Sequence, residues 1–162
     1  QALMSIQAVK AVWLGEGVDV AARRGSVAHD AISWNPVDGY VRETVRAGGV
    51  EGGISTGSLL AVSAAMKPLA TLNRPVLSTV DVVTKSEARS FKERTDVTAV
   101  PAMGVVAESM VALVLASEAL RKFGGDSLAE VLRNRDGYLA SLGQVTSGPL
   151  RARDGAPSAS GE

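Results

Sequence analysis

The residues best suited to chemistry in this chain are a cluster of glycines with a basic residue on either side. Residues 47–57 contain five glycines, Arg46 precedes them, and Lys67 follows ten residues later. Glycine costs backbone entropy and buries no side chain, so this composition favours neither a helix nor a strand. Free amides beside a cation suit a phosphate or a carboxylate, although a purely structural turn is the alternative interpretation.

Three other polar residues are candidates on residue type alone. Arg94 and Asp96 would lie on the same face of an extended segment, where the spacing by itself favours an exposed ion pair of little consequence. His29 is the single histidine and stands in a polar stretch, which is typical of a surface residue. With one histidine and no cysteine, no metal site is predicted.

Composition limits the class of protein. The chain has 162 residues and is 46% hydrophobic, which is enough for one domain with its own core. Its 17 basic and 17 acidic side chains cancel, so neither nucleic acid nor a membrane surface is a predicted partner. The longest apolar run, residues 110–116, is shorter than the roughly 20 residues of a membrane span. The absence of cysteine fits a cytoplasmic protein, and the lack of Met at position 1 suggests part of a longer chain.

The elements that would position these residues are mostly short. Strands are predicted over residues 3–14, 59–66 and 76–83, and helical turns over 18–24 and 85–93. Asp38-Gly39, between the apolar residues 32–34 and 40–41, is a strong hairpin signal. Prolines at 68 and 75 predict an irregular loop.

Two helices are predicted in the second half. Residues 105–123 are apolar almost all round, which predicts a helix buried on most faces and begun near Pro101. Ser127 and Glu130 form a capping box that opens a second helix, ending at about Leu142. We predict one α+β domain over residues 1–143, with an antiparallel sheet and packed helices, and a flexible tail over 144–162.

The order of these segments resembles the C-terminal part of chorismate synthase, especially its actinobacterial members. The likeness extends from residue 1 to about residue 135. It is carried by the sequences LMSIQAVK at 3–10, RGS at 24–26, AHD at 28–30, RAGGVEGGIS at 46–55, AAMKP at 64–68, RTD at 94–96, AVPA at 99–102, VVAE at 105–108 and KFGGDS at 122–127.

The resemblance implies a sandwich of antiparallel sheets and helices assembled as a homotetramer. It also implies 1,4-elimination of phosphate from 5-enolpyruvylshikimate 3-phosphate to give chorismate, with reduced FMN as the cofactor, and it associates NADP with the family. The family's catalytic histidines and most of its substrate-binding arginines belong to an N-terminal half that these residues do not include.

The resemblance also implies roles for particular residues. Asp96 and Arg94 match catalytic positions, with Arg94 against flavin and substrate and Asp96 assisting proton movement at the flavin N5. The implied flavin-binding residues are Gln7 and Ala8 at the end of the first strand, Gly52, and the loop formed by Lys67, Pro68, Leu69, Ala70 and Thr71.

An alternative function stays open. The family usually has Asn, Asn and Arg where this chain has Val45, Thr56 and Ser63. These positions lie near the implied cofactor. The alternative is therefore a catalytically incomplete or inactive module of the same fold, with a role in assembly or anion binding.

Overall fold

The computed structural model describes residues 1–142, which form eight short strands and three helices. The strands are β1 (Val9–Leu14), β2 (Ile32–Asn35), β3 (Gly39–Arg42), β4 (Val50–Glu51), β5 (Ile54–Ser55), β6 (Val62–Met66), β7 (Ser78–Val80) and β8 (Glu87–Arg89). The helices are α1 (Val18–Ala22), α2 (Val100–Phe123) and α3 (Leu128–Ser141). The predicted tail, residues 144–162, lies outside the described residues.

Strands pair two by two. β1 is hydrogen-bonded to β6, and β2–β3, β4–β5 and β7–β8 are antiparallel hairpins of consecutive strands. Short sheets with helices make this an α+β protein, as predicted. The chain forms two compact units, one of Gln1–Val12 with Ala64–Ala119, and the other of Trp13–Ser63 with the chain from Leu120.

The hairpin predicted at Asp38-Gly39 is confirmed. Asn35 pairs with Gly39 at the end of β2–β3, and Gly39 has a φ of 67°. The side-chain oxygen of Asn35 accepts hydrogen bonds from the amides of Val37 and Asp38, at 3.0 and 2.7 Å. Local side-chain chemistry therefore specifies this turn without help from the rest of the chain.

The first strand is shorter than predicted. Residues Leu3–Ser5 form a 3-10 turn closed by the Ser5 hydroxyl on the Ala2 carbonyl at 2.7 Å, and the strand begins only at Val9. Gln7 and Ala8 consequently lie in a turn before β1 and not at the end of a strand. Leu3 and Val9 are the hydrophobic residues classed as buried within residues 1–142.

The helix predicted over residues 85–93 is wrong, because Glu87–Arg89 is the strand β8, paired with β7. Asp81 accounts for the difference. Its carboxylate accepts hydrogen bonds from the amides of Val83 and Thr84, at 2.8 and 2.7 Å, and these bonds close a turn between the strands. They also hold the pKa of Asp81 below its usual value. Lys85 completes the turn with a φ of 58°.

Both helices of the second half are confirmed. α2 begins at Val100, five residues before the predicted start, and Pro101 occupies its first turn. The Ser127 hydroxyl accepts a hydrogen bond from the Glu130 amide at 3.3 Å, while the Glu130 carboxylate accepts one from the Asp126 amide at 2.7 Å. The capping pair therefore starts α3 as its sequence predicts.

The prediction that α2 is buried on most faces is wrong for the described part of the chain. The partly covered residues Met103, Ala107, Met110 and Val111 lie on one face. Away from that face, Val105, Leu113 and Leu120 are 65, 66 and 58% exposed. By length and composition this helix is also able to cross a membrane. Core helices of soluble proteins meet the same criteria, so these two properties are weak evidence of a membrane span.

Candidate functional site

The glycine stretch divides into two parts with different roles. Gly48 and Gly49 are buried and pack against other backbone segments. A Cβ atom on Gly48 would lie 2.3 Å from the Gly15 nitrogen, and one on Gly49 would lie 2.2 Å from the Leu59 oxygen. Both glycines have positive φ values, 67° and 78°. These two residues are therefore required by close backbone packing and offer nothing to a ligand.

Gly52 and Gly53 form the exposed half. They connect β4 to β5 as a two-residue turn with φ values of 57° and 78°, the backbone of a type I′ hairpin. A Cβ atom at either position would meet no atom within 4 Å. Their amide groups are accessible, so this tip is the part of the stretch that could contact an anion or a flat ring.

Thr56 closes the glycine stretch. Its amide donates a hydrogen bond to the Gly49 carbonyl at 3.0 Å, and its hydroxyl accepts one from the Ser58 amide at 3.4 Å. A threonine here is thus fully used inside the loop. Threonine in place of the asparagine that the resemblance implies therefore leaves its hydroxyl paired within the loop.

The structure brings together two of the predicted flavin-binding residues, Ala8 and Lys67. The Lys67 amide donates a hydrogen bond to the Ala8 carbonyl at 2.8 Å, where β6 ends beside the start of β1. The Lys67 side chain is exposed, which leaves its ammonium group available to a phosphate. Ala8 has a φ of 69°, a backbone conformation that residues other than glycine rarely adopt.

Replacing Ala8 with glycine is expected to stabilise the protein. The left-handed conformation of Ala8 costs about 1–2 kcal/mol, whereas glycine adopts it freely. Because glycine is also more flexible in the unfolded chain, we expect a net gain of roughly 0.5 kcal/mol in the free energy of unfolding, measured by urea denaturation. The control is Ala11→Gly within β1, which should lose about 0.5–1 kcal/mol. Equal losses for both variants would contradict this account.

Two further residues of the Lys67 loop, Ala70 and Thr71, line a cleft. The cleft has a volume of about 270 Å³, and its other lining residues are Leu72, Leu77, Thr79, Ser90, Phe91 and Glu93. This lining is largely apolar and its single charge is a carboxylate. The cleft therefore suits an apolar or aromatic group better than a phosphate.

Arg94 and Asp96 meet as predicted from their spacing. The Arg94 Nη2 atom lies 3.7 Å from the Asp96 Oδ1 atom, and the side chains are 93 and 75% exposed. Such an exposed pair contributes little to stability. Within residues 1–142, no hydrogen bond or ion pair joins it to Ala8 or Lys67.

Asp30 is a residue whose role sequence reasoning missed. Its carboxylate accepts hydrogen bonds from the hydroxyl of Thr44 and from the amides of Arg46 and Ala47, at 2.8 and 3.0 Å for the amides. Partial burial by itself would raise the pKa of Asp30, but these hydrogen bonds and the nearby Arg46 charge outweigh it and lower the pKa. The AHD motif at residues 28–30 contains Asp30. An acidic residue ahead of a glycine-rich loop with free amides was the signal in the sequence for this role.

Comparisons with known proteins agree with one another. The sequence profile of the chorismate synthase family matches residues 1–120. The chorismate synthase of Thermobifida fusca (strain YX) is 62% identical over 141 residues, covering 87% of this chain and 35% of that protein. The chorismate synthase of Kocuria rhizophila is 61% identical over 142 residues, covering 87% of this chain and 33% of that protein.

A solved structure agrees as well. A crystal structure of chorismate synthase superimposes with a TM-score of 0.67 at 38% sequence identity, over 88% of this chain and 34% of that one. The chain thus spans about a third of the length of the relatives that it matches.

The short antiparallel hairpins, the three helices and the exposed glycine turn define an α+β protein with loops open to a ligand. The matched profile and the high identity make the assignment more specific. The chain belongs to the chorismate synthase family.

Proposed function

We propose that these residues are the C-terminal portion of a chorismate synthase, which eliminates phosphate from 5-enolpyruvylshikimate 3-phosphate to give chorismate. The observation that carries this proposal is the 62% identity over 141 residues to a protein of that name. The family profile also spans every candidate site residue from Gln7 to Asp96. A cytoplasmic homotetramer is part of the same proposal.

The cofactor in this proposal is reduced FMN, which supplies electron density to the substrate without a net redox change. The residues present fit parts of such a group. Lys67 has an exposed ammonium for a phosphate, and the loop from Pro68 to Thr71 continues beside it. Gly52 has open space at its α-carbon, which permits close approach of a ring. Gln7 and Ala8 would contact the ring from the turn before β1.

In the proposed site, Arg94 binds negative charge and Asp96 accepts a proton. A carboxylate acts as a base when it is held close to the reacting atom and shielded from water. At 75% exposure, Asp96 has no such shield in the described part of the chain. In the proposed enzyme, the part of the family's sequence outside this chain would shield Asp96 from water.

The exposed side of α2 supports the same view of an incomplete site. Large aliphatic residues at 65, 66 and 58% exposure are normally covered in a folded enzyme. The chain accounts for only 35% of the Thermobifida fusca protein, so about two-thirds of the family's length could supply that cover. We therefore propose that activity requires that length, together with the present residues.

The proposal predicts separable effects for two residues. In the completed enzyme, Asp96→Ala should lower turnover by about 10²–10⁴-fold, the usual contribution of general acid–base catalysis, with FMN binding nearly unchanged. Lys67→Ala should weaken FMN binding about tenfold or more, because a charge-assisted hydrogen bond to phosphate is lost. Chorismate formation and flavin fluorescence titration measure the two quantities.

The outcome also separates the proposal from its alternative. Lys10, in β1, is exposed and has no assigned role, so Lys10→Ala serves as the control and should affect neither quantity. If Asp96→Ala mainly weakened FMN binding and Lys67→Ala mainly lowered turnover, the assigned roles would be refuted. Absence of both flavin binding and turnover in the completed protein would instead favour an inactive module of the same fold.

A further inference from the structure

The glycine stretch is attached at its base to a side chain from an earlier loop. Both oxygens of Asp30 are used: Oδ1 accepts from Thr44 and Arg46, and Oδ2 accepts from Ala47. All three donors come from the four residues immediately before Gly48. The carboxylate therefore fixes the direction in which the chain leaves β3.

A second set of contacts fixes the other side of this base. The Ala61 amide donates to the Gly48 carbonyl at 3.1 Å, and the Glu16 amide donates to the Arg46 carbonyl at 3.0 Å. The Arg46 guanidinium also donates to the carbonyl of Val27. Residues 44–48, three of which donate to Asp30, are thereby also bonded to three neighbouring segments before the hairpin begins.

The exposed hairpin β4–β5 has one further brace. Arg42 at the end of β3 donates two hydrogen bonds to the carboxylate of Glu51 in β4, each 2.9 Å long. A bidentate pair holds its partners in one relative orientation better than a single contact does. The turn at Gly52 is therefore rigidly connected, through two residues of β4, to a base that Asp30 holds.

We propose that Asp30 is a positioning residue, which fixes the base of the glycine stretch so that the Gly52 turn presents its amides in one orientation. That this orientation serves contact with the flavin rests on the proposed function. The hydrogen-bonding role of Asp30 does not depend on it. Asparagine in place of Asp30 offers one acceptor oxygen where the carboxylate offers two, so it removes part of the network at almost constant volume.

The test compares Asp30→Asn with Asp19→Asn, an exposed carboxylate in the first turn of α1. Both variants are made in this chain and in the protein completed to the family's length. Amide hydrogen exchange should become about tenfold faster at Arg46, at Ala47 and across β4–β5 in Asp30→Asn, as expected for the loss of such a hydrogen bond. Exchange in α3 should stay within about twofold, and Asp19→Asn should resemble the parent.

Flavin titration of the completed protein provides the second measurement. The FMN dissociation constant should rise about tenfold in Asp30→Asn if the hairpin orientation serves the cofactor. Unchanged exchange at Arg46 and Ala47, or equal acceleration in α3, would overturn the positioning role. Unchanged FMN affinity despite faster local exchange would overturn its link to the ligand. If the parent itself binds no FMN, the proposed function fails, while the exchange data still decide the role of Asp30.

Discussion

Gly48→Ala is expected to lower the free energy of unfolding by about 3 kcal/mol or more, which is a large share of the total for a small domain. The added methyl would lie 2.3 Å from the Gly15 nitrogen and 2.8 Å from the Ala61 oxygen. Those two atoms are joined by a 2.8 Å hydrogen bond, so neither can move without breaking it. Backbone strain at positive φ adds about 1–2 kcal/mol to the overpacking.

The matched control is Gly52→Ala in the same stretch. Its φ is also positive at 57°, but the new methyl meets no atom within 4 Å. The expected loss is therefore the conformational strain alone, about 1–2 kcal/mol. Denaturant unfolding of both variants tests the division of the glycine stretch. Similar losses at the two positions would show that Gly48 is not packed as described.

Leu113→Lys is expected to weaken the binding of this chain to the complementary polypeptide, the part of the family's sequence that lies outside this chain, about a hundredfold. Leu113 is 66% exposed in this chain and lies away from the partly covered face of α2. Covering a leucine contributes about 1.5–3 kcal/mol, and covering an unpaired ammonium is unfavourable. The combined loss of about 3 kcal/mol corresponds to roughly two orders of magnitude in the dissociation constant.

Calorimetric titration of this chain with the complementary polypeptide measures the effect. Ala129→Lys on the exposed surface of α3 adds the same charge to a helix and should leave the affinity within about threefold. Equal affinities for the two variants would contradict the proposal that this face of α2 is covered. Insertion of the parent chain into phosphatidylcholine vesicles would contradict it differently, by pointing to a lipid partner for α2.

Several local elements could be predicted because a few neighbouring residues determine them. Asn35 and Gly39 define the β2–β3 turn, and Ser127 with Glu130 begins α3, all through contacts within four residues. The α+β class was also predicted, from the hairpin signals and the helix patterns along the chain. The errors occurred where local patterns were ambiguous, as at residues 85–93, where a polar segment pairs with β7.

Some of the candidate site residues lie close together in the structure, while their roles in a site stay predictions. The resemblance identified Ala8 and Lys67, and the structure joins them through a 2.8 Å hydrogen bond. It also identified the pair Arg94 and Asp96, which meet at 3.7 Å. It could not assign Asp30, because the donors to that carboxylate stand 14 to 17 residues later in the chain.

The amino-acid sequence by itself determined the family, the turn and cap positions, and the glycine content of the loop between β3 and β6. Tertiary structure alone decided which glycines serve packing and which are open to a ligand. All five glycines look alike in sequence, and only a neighbouring backbone distinguishes them. Gly48 and Gly49 lie against Gly15 and Leu59, whereas Gly52 has empty space beside its α-carbon. The physical reason is that steric exclusion depends on segments distant in sequence, which no local pattern records.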